Sequence, residues 1–393
     1  MSATMVPETA PRPLPPKILR LGWIFLAVGL LLLAVAYLVE PGRAPFSVNV
    51  LFLYVTSLAS GAIFLVALEY IAGAVWSVPM RRVNEFLTGL TPLAVLVAIP
   101  VFLQMGSVFH WAHEGAMEAD AILAGKKPYL NFSFFSLRFL IVFVIWGFFA
   151  LMFVRNSVRQ DESRDQKLTT WNIRLAGLFM PVFAFTITVV AIDWGMSLEA
   201  HWFSTIYGVY YFSGTAVAAV AAATYIIVKL QETGYLPFLR RDHLYSLGAL
   251  EFAFINFWAY IAFSQFLLIW YANLPEETTW FIARWQGGWM WISILLIVVQ
   301  FGVPYFALLS QDAKMDPMRL KFMSLWILMA HFVDLYWLVM PTYSPDFSVG
   351  ISDAAVPFIV VGLVMLVLVY KFRKYRLVPI GDPKLQRGLD FHL

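Results

Sequence analysis

Cysteine is absent from all 393 residues, so this chain alone can form no disulfide, thiolate zinc site or cysteine-ligated iron–sulfur cluster. Charge is scarce too: 13% of residues are charged, against roughly 25% in an ordinary soluble protein. With 61% of residues hydrophobic, the chain has too little polar surface to cover a water-facing globule of its size. The net charge of +3 is too small for a nucleic-acid partner, and the basic residues sit at the ends of apolar runs rather than in a patch. Phosphate loops, dinucleotide fingerprints and nucleophile elbows are missing. Of six histidines only His331 lies deep in an apolar run, so a bis-histidine haem site is excluded from the expectation. No secretory peptide is evident: the run Ile18 to Val39 is longer than a signal core, lacks a cleavage site, and is expected to be retained.

What the chain does have is apolar length. Run after run approaches or exceeds the ~20 residues that a helical span requires. A membrane β-barrel would show short segments of alternating polarity, and these runs are continuous. The expected fold is an all-α polytopic membrane protein with about ten transmembrane helices. They fall near Ile18–Val39, Val48–Val75, Phe86–Phe109, Phe134–Val154, Leu175–Trp194, Ser204–Leu230, Gly248–Tyr271, Gly288–Leu309, Leu320–Met340 and Ala354–Phe372. Residues 1–17 form an N-terminal tail, 18–372 one membrane domain, and 373–393 a C-terminal tail. The Arg155 to Arg174 connection reads as a solvated hairpin.

Orientation follows from lysine and arginine. Of the 27, only Arg43, Lys126, Lys127, Arg138 and Arg284 fall on one side of this arrangement. The positive-inside rule therefore puts both termini in the cytoplasm. A faint parallel duplication relates spans two to five with six to nine: Ser60-Gly61 echoes Ser213-Gly214, and Glu85-Phe86 echoes Glu251-Phe252. Two four-helix bundles, within about 46–230 and 204–341, plus two peripheral helices are expected.

Ionisable groups inside spans cost about 2.5–3.5 kcal/mol each on the insertion scale and so invite a function. Glu69, Glu251, His331 and Asp334 are the candidates for a proton path. His331 and Asp334, three residues apart, share a helical face. The bland alternatives are structural hydrogen bonds near the headgroups for the two glutamates and a satisfied polar pair for the other two. His110 and His113 with Glu114 and Glu118 suggest a metal site less well than a polar interfacial turn anchored by Trp111. Trp111, Trp194, Trp202, Trp289 and Trp291 are expected in the interface belt, and Gln265 and Gln300 in interhelical hydrogen bonds. Pro100, Pro181 and Pro304 should bend their helices.

Several longer motifs resemble a known family. They are the stretch from Asp193-Trp194-Gly195-Met196-Ser197-Leu198-Glu199-Ala200-His201-Trp202 to Gly208, and Phe257-Trp258-Ala259-Tyr260-Ile261-Ala262-Phe263-Ser264-Gln265-Phe266 continuing to Asn273-Leu274-Pro275-Glu276-Glu277. Gln286-Gly287-Gly288-Trp289 and Val333-Asp334-Leu335-Tyr336-Trp337 complete the set. From about Arg81 to Met340 the chain resembles a large membrane-anchor component of bacterial alternative complex III. It is similar to the one that stands beside the quinol-oxidising sister, within the wider membrane-anchor family of polysulfide and nitrite reductases.

The resemblance implies a component of a respiratory or photosynthetic quinol:electron-acceptor oxidoreductase in the bacterial inner membrane, without a metal, cofactor or catalytic residue of its own. It implies as partners the pseudo-homologous quinol-binding membrane sister, an iron–sulfur protein, haem c proteins and small membrane proteins. Quinol, haem c and the iron–sulfur clusters would belong to those partners. Asp193, Glu199, His201 and Trp202 would form an outer motif for partner docking or quinone proximity. Phe203 stands where the quinol-oxidising sister carries histidine, and His201 precedes the tryptophan. A one-residue move turns a helical side chain by about 100°, which argues against quinol oxidation by this chain. The other readings are a quinol-oxidising protein in its own right and a free-standing transporter. A transporter often shows a matched pair of interrupted spans, which the sequence does not display.

Overall fold

In the computed structural model of the chain, residues 10–393 are described, so residues 1–9 of the expected N-terminal tail lie outside the described residues. The described residues form helices and connections without a strand. Among the described residues ten helices are long and apolar enough to cross a membrane: α1 (Pro16–Val39), α2 (Ala44–Ala72), α3 (Val78–Leu103), α4 (Phe132–Ser163), α5 (Gln166–Trp194), α6 (Tyr207–Glu232), α7 (Arg241–Ala272), α8 (Trp289–Ala307), α9 (Pro317–Thr342) and α10 (Ile351–Lys374). Lipid offers the backbone no hydrogen-bond partners, so each continuous apolar run closes its bonds within itself as a helix. The protein is an all-α, multi-pass membrane protein.

Several helices outrun their apolar cores. α4, α5 and α7 carry polar turns past the runs that mark them, because nothing in those turns breaks a helix. The connection at 155–174 is accordingly tighter than a solvated hairpin. α4 continues to Ser163, Arg164 closes it in the left-handed region (φ 51°), and α5 restarts at Gln166 with Asp165 capping Lys167 N. Pro100 and Pro181 lie inside α3 and α5. α8 passes through a π-helical segment, Ile297–Gly302, immediately before Pro304. Pro304 has no N–H to give the carbonyl of Gln300, so the regular ladder cannot run through this point.

α2 to α5 pack on one another, and so do α6 to α9. The two groups meet through α2 against α6, α5 against α6, and α2 against α9. If α2 corresponds to α6 and α5 to α9, the last two contacts are one contact seen twice, as a parallel repeat requires. α2 is buried throughout its apolar window and α6 through most of it, making these two the shared centre. α1 and α10 pair with each other outside this core, and α10 rests on α2 and α3. The centre is tight because Gly61 permits it: a Cβ there would lie 2.5 Å from Ala219 Cβ and 2.9 Å from the Thr215 carbonyl oxygen.

The two ends of the bundle are tied differently. At the basic end Arg81 bridges Glu69 (3.0 Å), Glu85 (3.1 Å) and Asp382 (2.8 Å), and Arg82 bridges Glu85 and Asp161. The C-terminal segment is drawn across this end: Gly381 N donates to Asp161, and His243 Nε2 lies 2.8 Å from Gly388 O. Arg12 donates to Gly234 O at the same end, so the two terminal segments share it. At the opposite end three arginines are buried in ion pairs: Arg43 with Asp353 (2.8 Å), Arg138 with Asp193 (2.8 Å) and Arg284 with Glu199 (3.1 Å).

Candidate functional site

α9 carries a line of buried polar groups through the second bundle. Ser324, His331 and Asp334 fall along one side of it, where α7, α2 and α6 press against it. Nearest the basic end, Ser324 Oγ donates to Glu251 Oε2 of α7 at 3.3 Å, and Glu251 Oε1 is buried without a partner among the described residues. Two turns on, roughly 10 Å along the axis, His331 Nε2 lies 3.0 Å from Ser57 Oγ of α2. Ser57 gives its own proton to Leu53 O (2.6 Å), so it accepts from Nε2–H. His331 Nδ1 is then an unprotonated acceptor with no partner among the described residues, facing Gly214.

One turn further, Asp334 Oδ1 accepts from Tyr210 OH at 2.6 Å and Oδ2 from Trp258 Nε1 at 3.2 Å. Asp334 is 1% exposed and makes no ion pair among the described residues, so its oxygens are held by two neutral donors rather than by a cation. Gly214 is what lets α6 come so close: its Cβ position is 3.2 Å from both Asp334 Oδ2 and His331 Cε1. The line ends at Arg284, which donates to Trp337 O and Leu338 O of α9 and pairs with Glu199. Burial pulls the Arg284 guanidinium down from its ordinary pKa, and Glu199 opposes that shift.

The structure thus sets His331 and Asp334 of α9 and Glu251 of α7 along one side of α9. Glu69 stands apart in the Arg81 bridge of the basic end. Tyr210, Trp258, Ser57 and Ser324, which hold the three, were not singled out as site residues by the sequence. Tyr210 and Trp258 lie 124 and 76 residues from Asp334, and no local pattern marks such partners.

The four residues of the expected outer motif are each engaged within the protein. Arg138 grips both oxygens of Asp193 (2.8 and 2.9 Å) beneath the Tyr129 ring. Glu199 takes Arg284. His201 Nε2 lies 2.5 Å from Asp120 Oδ2, and this contact holds the Asp120 carboxyl below its ordinary pKa. Trp202 stacks on Trp280 (4.7 Å) and donates to Glu277 O. His110 and His113 are exposed, with ring centres 5.4 Å apart. Among the described residues no three of His, Asp and Glu converge as metal ligands would.

Two expectations fail in detail. Trp111, Trp194, Trp202 and Trp289 face the protein interior, and of the five only Trp291 is exposed. Trp194 packs against Phe52 at 3.9 Å and Phe135 at 5.2 Å, inside an aromatic cluster whose ring pairs add to the area it buries. Gln265 Oε1 and both amide atoms of Gln300 are buried without hydrogen bonds among the described residues, so the expected interhelical bonds from these atoms are not made. Gln300 lies in the π-helical segment of α8, and Gln265 lines a cleft.

Comparison with protein-family models and with curated proteins finds no match.

Proposed function

We propose that this chain is an integral membrane component of a quinol:electron-acceptor oxidoreductase of the alternative complex III kind, with the redox centres on partner proteins and a proton path through α6 to α9. The motifs between Asp193 and Trp337 support the assignment to the complex. The observation that carries the proton path is the line of buried ionisable groups on one side of α9, spread over depth: Glu251, His331 and Asp334. Buried ionisable residues in a membrane bundle are costly and mark ion pathways more often than not. Glu251 Oε1 and His331 Nδ1 are acceptors without protein donors among the described residues, the kind of atom that holds a buried water. Water is needed across the roughly 10 Å between Ser324 and His331. Glu69 is outside this path, because its carboxylate serves the Arg81 bridge.

Purification of the tagged chain from its native membrane tests the assembly: haem- and iron–sulfur-containing partners are expected to come with it. A transporter would purify without them. In vesicles reconstituted with the complex, Glu251→Gln and Asp334→Asn are expected to lower the protons moved per electron at normal haem content. An unchanged ratio in both variants would remove the proton path and leave a purely structural component.

A further inference from the structure

The hairpin of α4 and α5 gathers cations that the protein itself does not use. Arg155, Arg159, Arg164, Lys167 and Arg174 are all exposed, and none makes an ion pair among the described residues. Arg155 and Arg159 are one turn apart on α4, and Lys167, Trp171 and Arg174 follow one another at helical spacing on α5. The two helices are held in register by Asn156 with Asn172 (2.8 Å) and Gln160 with Thr169 (2.7 Å). That register sets Arg155 and Arg174 at about one depth, with Arg159 beside Trp171. Asp161 and Asn172 turn inward, to Arg82 and Tyr70, so the cations occupy the opposite, outer side of the hairpin.

Other cations at the same end are already engaged. Lys229 and Lys321 share Glu232, Lys314 donates to Leu308 O and Leu309 O, and Lys384 donates to Gly73 O. On the hairpin the only exposed acids are Glu162 and Asp165, both in its tip, and Asp165 caps Lys167 N. Five cations against two acids leave an excess of positive charge on this one face. Directly toward the membrane the face turns apolar: Leu151 lies one turn from Arg155 and Leu178 one turn from Arg174, and both are exposed. Phe148 continues the exposed apolar strip along α4. Trp171 stands between the two zones, exposed, with the Arg174 guanidinium 5.9 Å from its ring. An indole at that depth is at home among headgroups. Cations above, an indole between and hydrocarbon-facing side chains below match the parts of a lipid in order. A free anion would use only the first of them.

We propose that the outer face of the α4–α5 hairpin binds an anionic phospholipid, its phosphate held among Arg155, Arg159 and Arg174 and its chains lying along Phe148, Leu151 and Leu178. Guanidinium groups suit this ligand because they meet phosphate oxygens with paired N–H donors. Basic surfaces at the ends of membrane helices attract anionic headgroups for the same reason. The site lies on the first bundle, away from the line of buried groups on α9, and does not depend on the proposed complex.

The test uses the full chain in phosphatidylcholine nanodiscs that contain a minor fraction of phosphatidylglycerol with brominated acyl chains. Because the chain has no cysteine, Leu178→Cys carries a single fluorophore, which bromine quenches at short range. Leu325→Cys, exposed at the same end of α9 and four residues past the engaged Lys321, is the reference position. Phosphatidylglycerol is expected to be enriched at position 178 about fivefold or more over position 325, the factor that one cation near a charged surface supplies. Replacing Arg155, Arg159 and Arg174 together by Gln should bring position 178 down to the reference. These side chains are exposed and unpaired, so the thermal unfolding midpoint should stay where it was. Equal quenching at the two positions would show a general attraction of the leaflet and overturn the site. Enrichment that survives the triple substitution overturns it as well, and so does displacement of the lipid by inorganic phosphate, which would mark a free-anion site. The comparison of the two positions decides the matter even if the triple variant does not fold.

Discussion

Two buried acids that look alike in the sequence turn out to be chemically different. Glu69 shares Arg81 with Glu85 and Asp382, a bridge that closes the basic end. Asp334 has no cation among the described residues and is held by a phenol and an indole. An acid in a multiple arginine bridge is bound to its place, whereas one held by neutral donors can gain or lose a proton without breaking an ion pair. Tyr210→Phe removes the shorter of the two hydrogen bonds at Asp334. It is expected to lower stability by about 1–3 kcal/mol, because a buried oxygen loses its donor. Thermal unfolding in nanodiscs measures this, and an unchanged midpoint would mean that Tyr210 contributes nothing there. The sequence marked the acids through their cost in lipid but could not distinguish them. Arg81 is only 12 residues from Glu69, yet Tyr210 is 124 from Asp334, and the partners decide the chemistry.

The helices themselves were legible, because an apolar run in lipid has one solution, and all ten runs are helices. Their ends and irregularities were less so. Polar turns extend α4, α5 and α7, while the π-helical segment of α8 depends on how Pro304 and Gln300 settle against α7 and α9. The repeat was visible only as residue pairs such as Ser60-Gly61 and Ser213-Gly214, and packing shows what these share: both glycines face a crowded neighbour at the centre. They differ in what crowds them. A methyl at Gly61 meets the Ala219 methyl at 2.5 Å and a backbone carbonyl at 2.9 Å, so α2 and α6 must separate. At Gly214 the nearest atoms are side chains at 3.2 Å. Gly61→Ala is therefore expected to destabilise by about 1–3 kcal/mol, the usual cost of overpacking. Gly214→Ala should cost less. A reversed order in denaturation of the two variants would show that the α2–α6 contact is looser than its geometry.

On the scale of the whole molecule, charge and burial reinforce each other. Counting lysine and arginine already leaves only Arg43, Lys126, Lys127, Arg138 and Arg284 at the end away from the termini. Three of these, Arg43, Arg138 and Arg284, are buried in ion pairs with Asp353, Asp193 and Glu199. Lys126 is half withdrawn, its Nζ donating to Ala200 O, and burial lowers its pKa. A buried, neutralised arginine offers little to an anionic leaflet, so the field that orients the protein is more lopsided than the count. Some basic-end arginines are buried too, notably Arg81 and Arg82, but many others there remain exposed, from Arg155 and Arg159 to Arg373 and Arg387. The basic end is therefore expected on the cytoplasmic side. The absence of cysteine makes a direct measurement simple, because a single introduced thiol has no background. Ser163 and Glu276 are exposed, at the basic and the opposite end respectively. In intact cells an impermeant maleimide should label Glu276→Cys at once and Ser163→Cys only after the membrane is opened. Prompt labelling of both would contradict the alternation of the helices, and the reverse pattern would invert the molecule and place the Glu251 end of the proposed proton path outside.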